Sequence, residues 1–379
     1  MQSGSFAQSN MTPGPNNRKI ALTNADSWLG CRTACQLAQE LKKKCEDVQL
    51  VCMVRKTEHL DKLKKFKNVH IEKVDYEDEK SLEKAFRGVS CTIIFPEMDE
   101  HRAKYARHVI QAMKNQHVKS CMLISVQNAG DSSSHLKEIQ SFHEIEKEVQ
   151  QHSEGYLILR KSILNQWFFL WAPIVQERGE FPISTTKQCE MVPLDVCDLI
   201  CAIQTIVVDK CRQGYQAGST DFFNFGQYMN KVYTLTGPQK ITAERLVEEL
   251  RDVTGEKIKI KEVSREELKK YFESLRKRRD EFHEDGEGGV DTDMHQDLLD
   301  RSLASAGSDD HSDNDDRDDH HRLMPNEAAI NLLLDELELV RKGESGFVSG
   351  DLEKITGHSG RTTREFLRKE KDAFKPHRN

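Results

Sequence analysis

Residues 18–44 read RKIALTNADSWLGCRTACQLAQELKKK: a short apolar run, a polar loop and a segment with helical periodicity. The run Ile20–Leu22 is typical of a buried strand. Beyond the loop, apolar residues recur every three or four positions up to Lys42–Lys44, and cations suit the negative end of a helix dipole. This order of strand, loop and helix predicts the first unit of a βαβ fold.

The same alternation continues along the chain and predicts five further strands, at Leu50–Val54, Val69–Val74, Cys91–Phe95, Cys121–Val126 and Tyr156–Arg160. Six strands alternating with helices predict an α/β fold with a Rossmann-type doubly wound parallel sheet. The ligand crevice of such a sheet lies beyond the carboxyl ends of its strands. After the sixth strand the pattern loosens into a smaller C-terminal α/β lobe. There, Thr242 and Gly255 are the expected cap and stop of a helix.

The formal net charge of −7 over 379 residues is unevenly distributed. Residues 280–322 contain 16 acidic and 3 basic residues, a net charge of −13, so the other 336 residues carry +6. This acidic segment is rich in Asp, His, Ser and Gly without periodicity, which predicts disorder. The predicted organisation is a flexible tail over 1–17, a dinucleotide-binding domain over 18–160, a smaller lobe over 161–279 and 326–379, and an acidic insertion over 280–325.

Several function classes are excluded or disfavoured by composition. No apolar stretch reaches the roughly 18 residues that a membrane span needs, and the polar N-terminus has no apolar secretion signal, which predicts a cytoplasmic protein. Arg276–Arg279 leaves two interpretations open, a nuclear-import or nucleic-acid contact and the basic end of a helix; direct nucleic-acid binding is not expected. The pairs Cys31/Cys35 and Cys197/Cys201 have helical spacing, but zinc needs four ligands, so free thiols are predicted.

The loop Thr23–Gly30 stands where a dinucleotide site has its glycine-rich turn. Compared with the pattern T-G-A-x-G-x-x-G, Asn24 and Ser27 replace the first two glycines, and Gly30 is kept. Asn tolerates a left-handed backbone, so the turn can survive. Ser27, however, adds a Cβ where the pyrophosphate should approach, and Asp26 adds a negative charge. Weak cofactor binding and loss of binding both stay open.

Two basic residues, Arg55 and Lys56, follow the second strand, where a 2′-phosphate would be recognised. No acid occupies the position that would bind a ribose diol. The expected cofactor is therefore NADP(H), in preference to NAD. The alternative is that these residues only begin a solvated loop.

Eight stretches stand out by their order and spacing: Thr23–Gly30, Val54-Arg55, Val74–Tyr76 with Ser81–Val89, Tyr156–Arg160, Leu194–Val196, Leu235–Pro238, Ile241-Thr242 and Thr356–Leu367. Together they make the chain similar to the NmrA-like family of atypical short-chain dehydrogenase/reductases. The resemblance implies that Arg55, Asp75, Tyr76, Phe95 and Pro96 line the cofactor crevice. The first loop adds Thr23, Asn24, Ser27, Trp28, Leu29 and Gly30, and the ends of the second and fifth strands add Lys56 and Ser125.

No catalytic residue is predicted. Ordinary short-chain reductases use a Tyr-x-x-x-Lys pair, in which the Lys lowers the pKa of the Tyr so that it can donate a proton. Only Tyr76 and Lys80 have this spacing here, and they follow the third strand, whereas the chemistry belongs after the fifth. Many relatives also place a Lys early in the helix before the sixth strand, where this chain has Phe142.

Three functions are compatible with these observations. The leading expectation is an NAD(P)-binding regulatory protein, a redox or nucleotide sensor or transcriptional co-regulator that acts through a protein partner in the cytoplasm or nucleus. The alternative is an NADP-dependent reductase of a quinone-like or other small carbonyl substrate. The third is a scaffold that has lost nucleotide binding.

Overall fold

The computed structural model describes residues 18–58, 60–131, 135–217, 225–284 and 325–376. Its centre is one parallel sheet of seven strands: β1 (Arg18–Leu22), β2 (Val48–Val54), β3 (Val69–Lys73), β4 (Val89–Ile94), β5 (Ser120–Val126), β6 (Tyr156–Lys161) and β9 (Lys231–Leu235). The strand order is β3-β2-β1-β4-β5-β6-β9, and every neighbouring pair is parallel. The predicted Rossmann-type fold is therefore confirmed.

The six strands predicted from the sequence all form, with ends that differ by at most two residues. Their near-continuous apolar runs reflect burial on both faces, as in β5, where all seven residues are buried. The seventh strand, β9, falls in the part of the sequence assigned to the C-terminal lobe. It pairs with β6 and so extends the main sheet.

Helices cover both faces of the sheet: α1 (Trp28–Lys44), α2 (Asp61–Lys64), α3 (Glu79–Ala85), α4 (Arg102–Asn115), α5 (Lys137–His152) and α7 (Val196–Ala217). The short α6 (Ala172–Arg178) packs in a separate apolar core with Phe181 and Leu246. The helices α1 and α7 pack on one face, where Leu37 and Ile203 belong to the same apolar core. On the other face, α4 and α5 contribute Ile110 and Ile145. The strands are thus covered on both sides, and their carboxyl ends remain as an edge where a ligand can bind.

The smaller lobe contains β7 (Glu180–Ile183), β8 (Glu190–Met191), β10 (Ile241–Thr242), α8 (Ala243–Thr254), β11 (Lys259–Glu262), α9 (Arg265–Glu284), α10 (Glu327–Arg341), α11 (Asp351–Thr356) and α12 (Thr363–Lys369). As predicted, the Thr242 hydroxyl caps α8, accepting the Arg245 N–H at 3.1 Å, and Gly255 ends the helix with a φ of +75°. The helix α9 runs into the first five residues of the acidic segment. Residues 1–17 and 285–324, for which a flexible tail and disorder are predicted, lie outside the described residues.

All ten cysteines are free thiols. In the described part of the chain, no cluster of three His, Cys, Asp or Glu side chains could hold a metal ion. No helix within the described ranges combines the length and the apolar content required to cross a bilayer.

Candidate functional site

A cavity of about 260 Å³ opens beyond the carboxyl ends of β1, β4, β5 and β6. The strand order reverses between β1 and β4, which is the point where open α/β sheets bind their ligands. Seven residues predicted from the sequence line the cavity: Asn24, Ser27, Trp28, Leu29, Phe95, Pro96 and Ser125. The lining that sequence reasoning did not assign to the site includes Glu97, Phe142, Lys161, Gln166, Trp167, and Asn326, Ala329 and Leu332 from the start of α10.

The first loop keeps the turn of a dinucleotide site although two glycines are replaced. Asn24 has a φ of +53°, in the left-handed region, and its N–H donates to the Tyr76 hydroxyl at 2.7 Å. The Ser27 hydroxyl accepts the Gly30 N–H at 3.1 Å and donates to the Asn24 carbonyl at 2.7 Å. Ser27 is therefore the N-cap of α1, and it uses one of the N–H groups that would otherwise be available to a phosphate.

Two predicted residues shape this loop from behind the cavity. A Cβ at Gly30 would lie 2.1 Å from the Asn24 carbonyl oxygen, so only glycine allows α1 to pack this closely on the loop. The Thr23 hydroxyl donates to the Phe95 carbonyl at 3.1 Å and accepts the Phe95 N–H at 3.0 Å. Thr23 thereby ties the loop after β1 to the loop after β4.

At the end of the crevice where the sequence predicts the adenosine, charged side chains contact the protein itself. The Asp26 carboxylate accepts the backbone N–H groups of Arg55 and Lys56, each at 3.0 Å. The Arg55 guanidinium lies over the rings of Tyr76 and Tyr105, at 5.3 and 4.7 Å from their centroids. The first basic residue predicted to meet a 2′-phosphate thus points back into the protein.

The remaining two predicted residues at this end are exposed. The Lys56 side chain is on the surface beside Asp26. Asp75 begins the turn after β3, where its carboxylate accepts the Glu77 N–H at 2.9 Å and its own N–H donates to the Ser81 hydroxyl at 3.0 Å. Asp75 therefore holds a turn at the outer rim and does not line the cavity.

Glu97 lies between the cavity and Arg55. It lines the cavity, is only 9% exposed, and its carboxylate lies 3.4 Å from the Arg55 Nε. Burial raises the pKa of Glu97 to about 7; Arg55 lowers it, while Asp26 and Asp99 add to the rise. Its position directly after Pro96, in the loop after β4, is the sequence feature that could have identified it.

Replacing Glu97 with Gln should stabilise the fold at pH 8, because the variant removes a buried charge. The pKa of a carboxyl group in an unfolded chain is about 4.3, so the folded state favours protonated Glu97 and the wild type loses stability as pH rises through about 7. The expected gain in the free energy of unfolding is up to about 2 kcal/mol at pH 8 and close to zero at pH 4.5. Urea titrations of both proteins at the two pH values measure it, and an equal gain at both would contradict the assignment.

At the opposite end, Ser125 and Lys161 are engaged by partners, whereas the Gln166 Nε2 and the Trp167 Nε1, which also belong to residues of the cavity lining, have no hydrogen-bond partner among the described residues. The Ser125 hydroxyl donates to Glu146 at 2.6 Å, and Glu146 also binds Arg160 at 2.6 Å. The Lys161 ammonium lies 2.8 Å from Glu336 on α10. Within the described lining there is no tyrosine and no histidine.

Phe142 occupies the helical position where many relatives place a lysine, and it forms part of the cavity wall. It is 1% exposed, and the Arg102 guanidinium lies over its ring, 5.2 Å from the centroid. The cavity accordingly has an apolar, aromatic wall at the position for which the resemblance implies a lysine.

Comparison with known proteins agrees with this geometry. Residues 31–190 match the family model described as NAD(P)H-binding. By sequence, the chain has no significant match among curated proteins. An NADPH-dependent quinone oxidoreductase from Escherichia coli, solved with NADPH, has 21% identity and a TM-score of 0.64 over 91% of this chain and 97% of its own.

Two further solved structures are similar. The Citrobacter sp. triphenylmethane reductase, solved with NADP(H), has 20% identity and a TM-score of 0.64 over 93% of this chain and 99% of its own. NmrA, a negative transcriptional regulator, has 12% identity and a TM-score of 0.53 over 65% of this chain and 75% of its own. The reductases and the regulator share one fold with this chain, and at these identities the likeness shows the fold alone. The matched NAD(P)H-binding segment and the shared fold agree with the predicted resemblance to the NmrA-like family of atypical short-chain dehydrogenase/reductases.

Proposed function

We propose that this protein binds NADP(H) and acts as a nucleotide- or redox-responsive regulator through a protein partner, without turning over a substrate. The observation that carries the proposal is the engagement of the Ser125 hydroxyl and the Lys161 ammonium beside the cavity. Ser125 is held by Glu146 and Lys161 by Glu336. Neither group is free to pass a proton to a bound carbonyl.

Dinucleotide binding itself is supported by three features. The cavity lies at the point where the strand order reverses. The left-handed turn at Asn24 keeps the loop conformation in which a phosphate can approach the N-terminus of α1. The helix dipole favours negative charge at that end. Arg55 and Lys56 follow β2, where the 2′-phosphate of NADP would be bound. The solved structures of NmrA include complexes with NAD and with NADP.

A second candidate function is an NADP-dependent reductase of a quinone-like or other small carbonyl substrate. The cavity favours it in one respect, because the walls formed by Trp28, Phe95, Phe142 and Trp167 suit a flat aromatic ring. The Escherichia coli relative of the same fold is a quinone oxidoreductase. Hydride transfer to a quinone would then proceed without a Tyr-Lys pair.

Calorimetric titration with NADPH, NADP and NAD, followed by an assay of NADPH oxidation with a panel of quinones, separates the candidates. The regulator is expected to bind NADPH or NADP and to leave NADPH unoxidised. Quinone-dependent turnover would favour the reductase and overturn the regulator. The absence of heat with every dinucleotide would leave a scaffold without nucleotide binding.

The regulatory output requires a protein partner, which we place in the cytoplasm or the nucleus. Affinity for that partner should differ between the free and the NADPH-bound protein, because a ligand changes only those equilibria whose states it binds unequally. Limited proteolysis with and without NADPH offers a first measure of such a change.

A further inference from the structure

Arg55 has two competing partners at the adenosine end of the crevice. In the present structure its guanidinium lies over Tyr76 and Tyr105 and its Nε is 3.4 Å from the Glu97 carboxylate. Because Arg55 is the first residue after β2, it is also the group that a 2′-phosphate at this position would contact. One guanidinium cannot fully satisfy both anions.

We propose that Glu97 determines cofactor specificity by holding Arg55 in the crevice, so that a dinucleotide carrying a 2′-phosphate binds only by displacing Arg55 from Glu97. This inference rests on the proposed binding of a dinucleotide. Within that function it assigns a role to a residue outside the glycine loop, and it makes Glu97 a positioning residue that acts through Arg55.

The chemistry of the two anions decides which dinucleotide is affected. A phosphate accepts two parallel hydrogen bonds from a guanidinium and carries more negative charge than a carboxylate, so it is the stronger partner for Arg55. When Arg55 turns toward it, Glu97 loses its cation while it stays buried, and its Oε1 already has no hydrogen-bond partner. NAD has no 2′-phosphate, so its binding offers no anion that competes with Glu97 for Arg55. Glu97 therefore selectively weakens binding of NADP.

Asp26 is a second acid close to Arg55. Like Asp99, it disfavours the ionised form of Glu97, while Arg55 and Tyr76 favour that form. In addition, Asp26 takes the backbone N–H groups of Arg55 and Lys56, which a phosphate could otherwise use. A 2′-phosphate thus approaches a site in which both Glu97 and Asp26 already bind groups of Arg55.

Proton binding by Glu97 should release Arg55. Its pKa of about 7 means that the carboxylate is neutralised as pH falls through 7. Affinity for NADP should therefore rise from about pH 8 to about pH 6.5, a range that stays above the second pKa of a phosphate monoester, about 6. Affinity for NAD should stay nearly constant over the same range.

The test is calorimetric titration of the full chain with NADP and with NAD at pH 8 and pH 6.5. The three proteins are the wild type, Glu97→Gln and, as a control, Asp99→Asn, which removes a nearby charge without removing the partner of Arg55. We expect Glu97→Gln to lower the Kd of NADP about tenfold at pH 8 and to abolish its pH dependence, with NAD changed by less than about threefold. Asp99→Asn should change the Kd of NADP and the Kd of NAD by less than about threefold each.

Failure of this inference can be told from failure of the proposed function. If NAD and NADP bind and Glu97→Gln leaves their ratio and its pH dependence as in the wild type, the role of Glu97 is overturned and dinucleotide binding stands. If NADP binds only to Glu97→Gln, the inference is supported in its strongest form. If no dinucleotide binds to any of the three proteins, both proposals are overturned.

Discussion

Replacing Lys161 with Met should lower the free energy of unfolding by about 3–5 kcal/mol. Lys161 ends β6, and its Nζ lies 2.8 Å from the Glu336 carboxylate, with side chains that are only 5% and 6% exposed. The variant leaves the carboxylate buried without its cation, and the second oxygen of Glu336 already has no hydrogen-bond partner. Urea unfolding followed by tryptophan fluorescence measures the loss.

A matched surface pair provides the control for this prediction. Lys240 and Glu190 are 2.7 Å apart, nearly the same separation, but their side chains are 48% and 49% exposed. Lys240→Met should therefore cost less than about 1 kcal/mol. The double variant Lys161→Met/Glu336→Leu should recover most of the loss, since both charges leave the interior together. Equal losses for Lys161→Met and Lys240→Met would contradict the role assigned to burial.

This ion pair connects the cavity to the segment that follows the acidic stretch. Lys161 lines the cavity from β6, while Glu336 lies on α10, whose first turns contribute Ala329 and Leu332 to the opposite wall. Asn326 caps α10 and donates to the Met98 carbonyl at 2.5 Å, in the loop after β4. A helix that follows the acidic stretch therefore forms part of the crevice, so its attachment is relevant to what the crevice can bind.

The sheet and its crevice could be predicted from the sequence because the information for them is local. Buried parallel strands are continuous apolar runs, as in Cys121–Val126, and the cap and stop of α8 at Thr242 and Gly255 follow from the conformations that these residues prefer. Asparagine tolerates a left-handed backbone, which left the turn possible at Asn24, and the structure has that turn. Ser27 was interpreted only as a lost glycine, although serine is a preferred N-cap and acts as one here.

The electrostatic organisation of the site could not be predicted, because it depends on residues that are far apart in sequence. Arg55 was assigned to a phosphate from its position after β2, and its ion pair with Glu97 arises only when the loops after β2 and β4 meet. Lys161 and Glu336 are 175 residues apart. In the same way, β9 joins the main sheet beside β6, although its place in the sequence lies in the C-terminal lobe. Such pairings are set by tertiary packing, which leaves no periodic pattern in the sequence.

Replacing Gly30 with Ala should lower the free energy of unfolding by about 3 kcal/mol, even though alanine is intrinsically better in a helix than glycine by about 1 kcal/mol. The added Cβ would lie 2.1 Å from the Asn24 carbonyl oxygen. That oxygen cannot easily move, because it accepts hydrogen bonds from the Ser27 N–H at 3.1 Å and the Ser27 hydroxyl at 2.7 Å. The α1 N-terminus must therefore shift away from the loop, which thermal and urea unfolding would both detect.

Gly350→Ala is the matched control, since a Cβ there has no neighbour within 4 Å and the backbone φ of −83° suits any residue. It should change stability by less than about 0.5 kcal/mol. The comparison also bears on function, because the displaced α1 N-terminus is the group proposed to face the pyrophosphate. Gly30→Ala should therefore weaken NADP and NAD alike, in contrast to Glu97→Gln, which should change NADP alone. Unchanged stability and affinity in Gly30→Ala would show that the loop tolerates a side chain there and that its close packing does not hold the site.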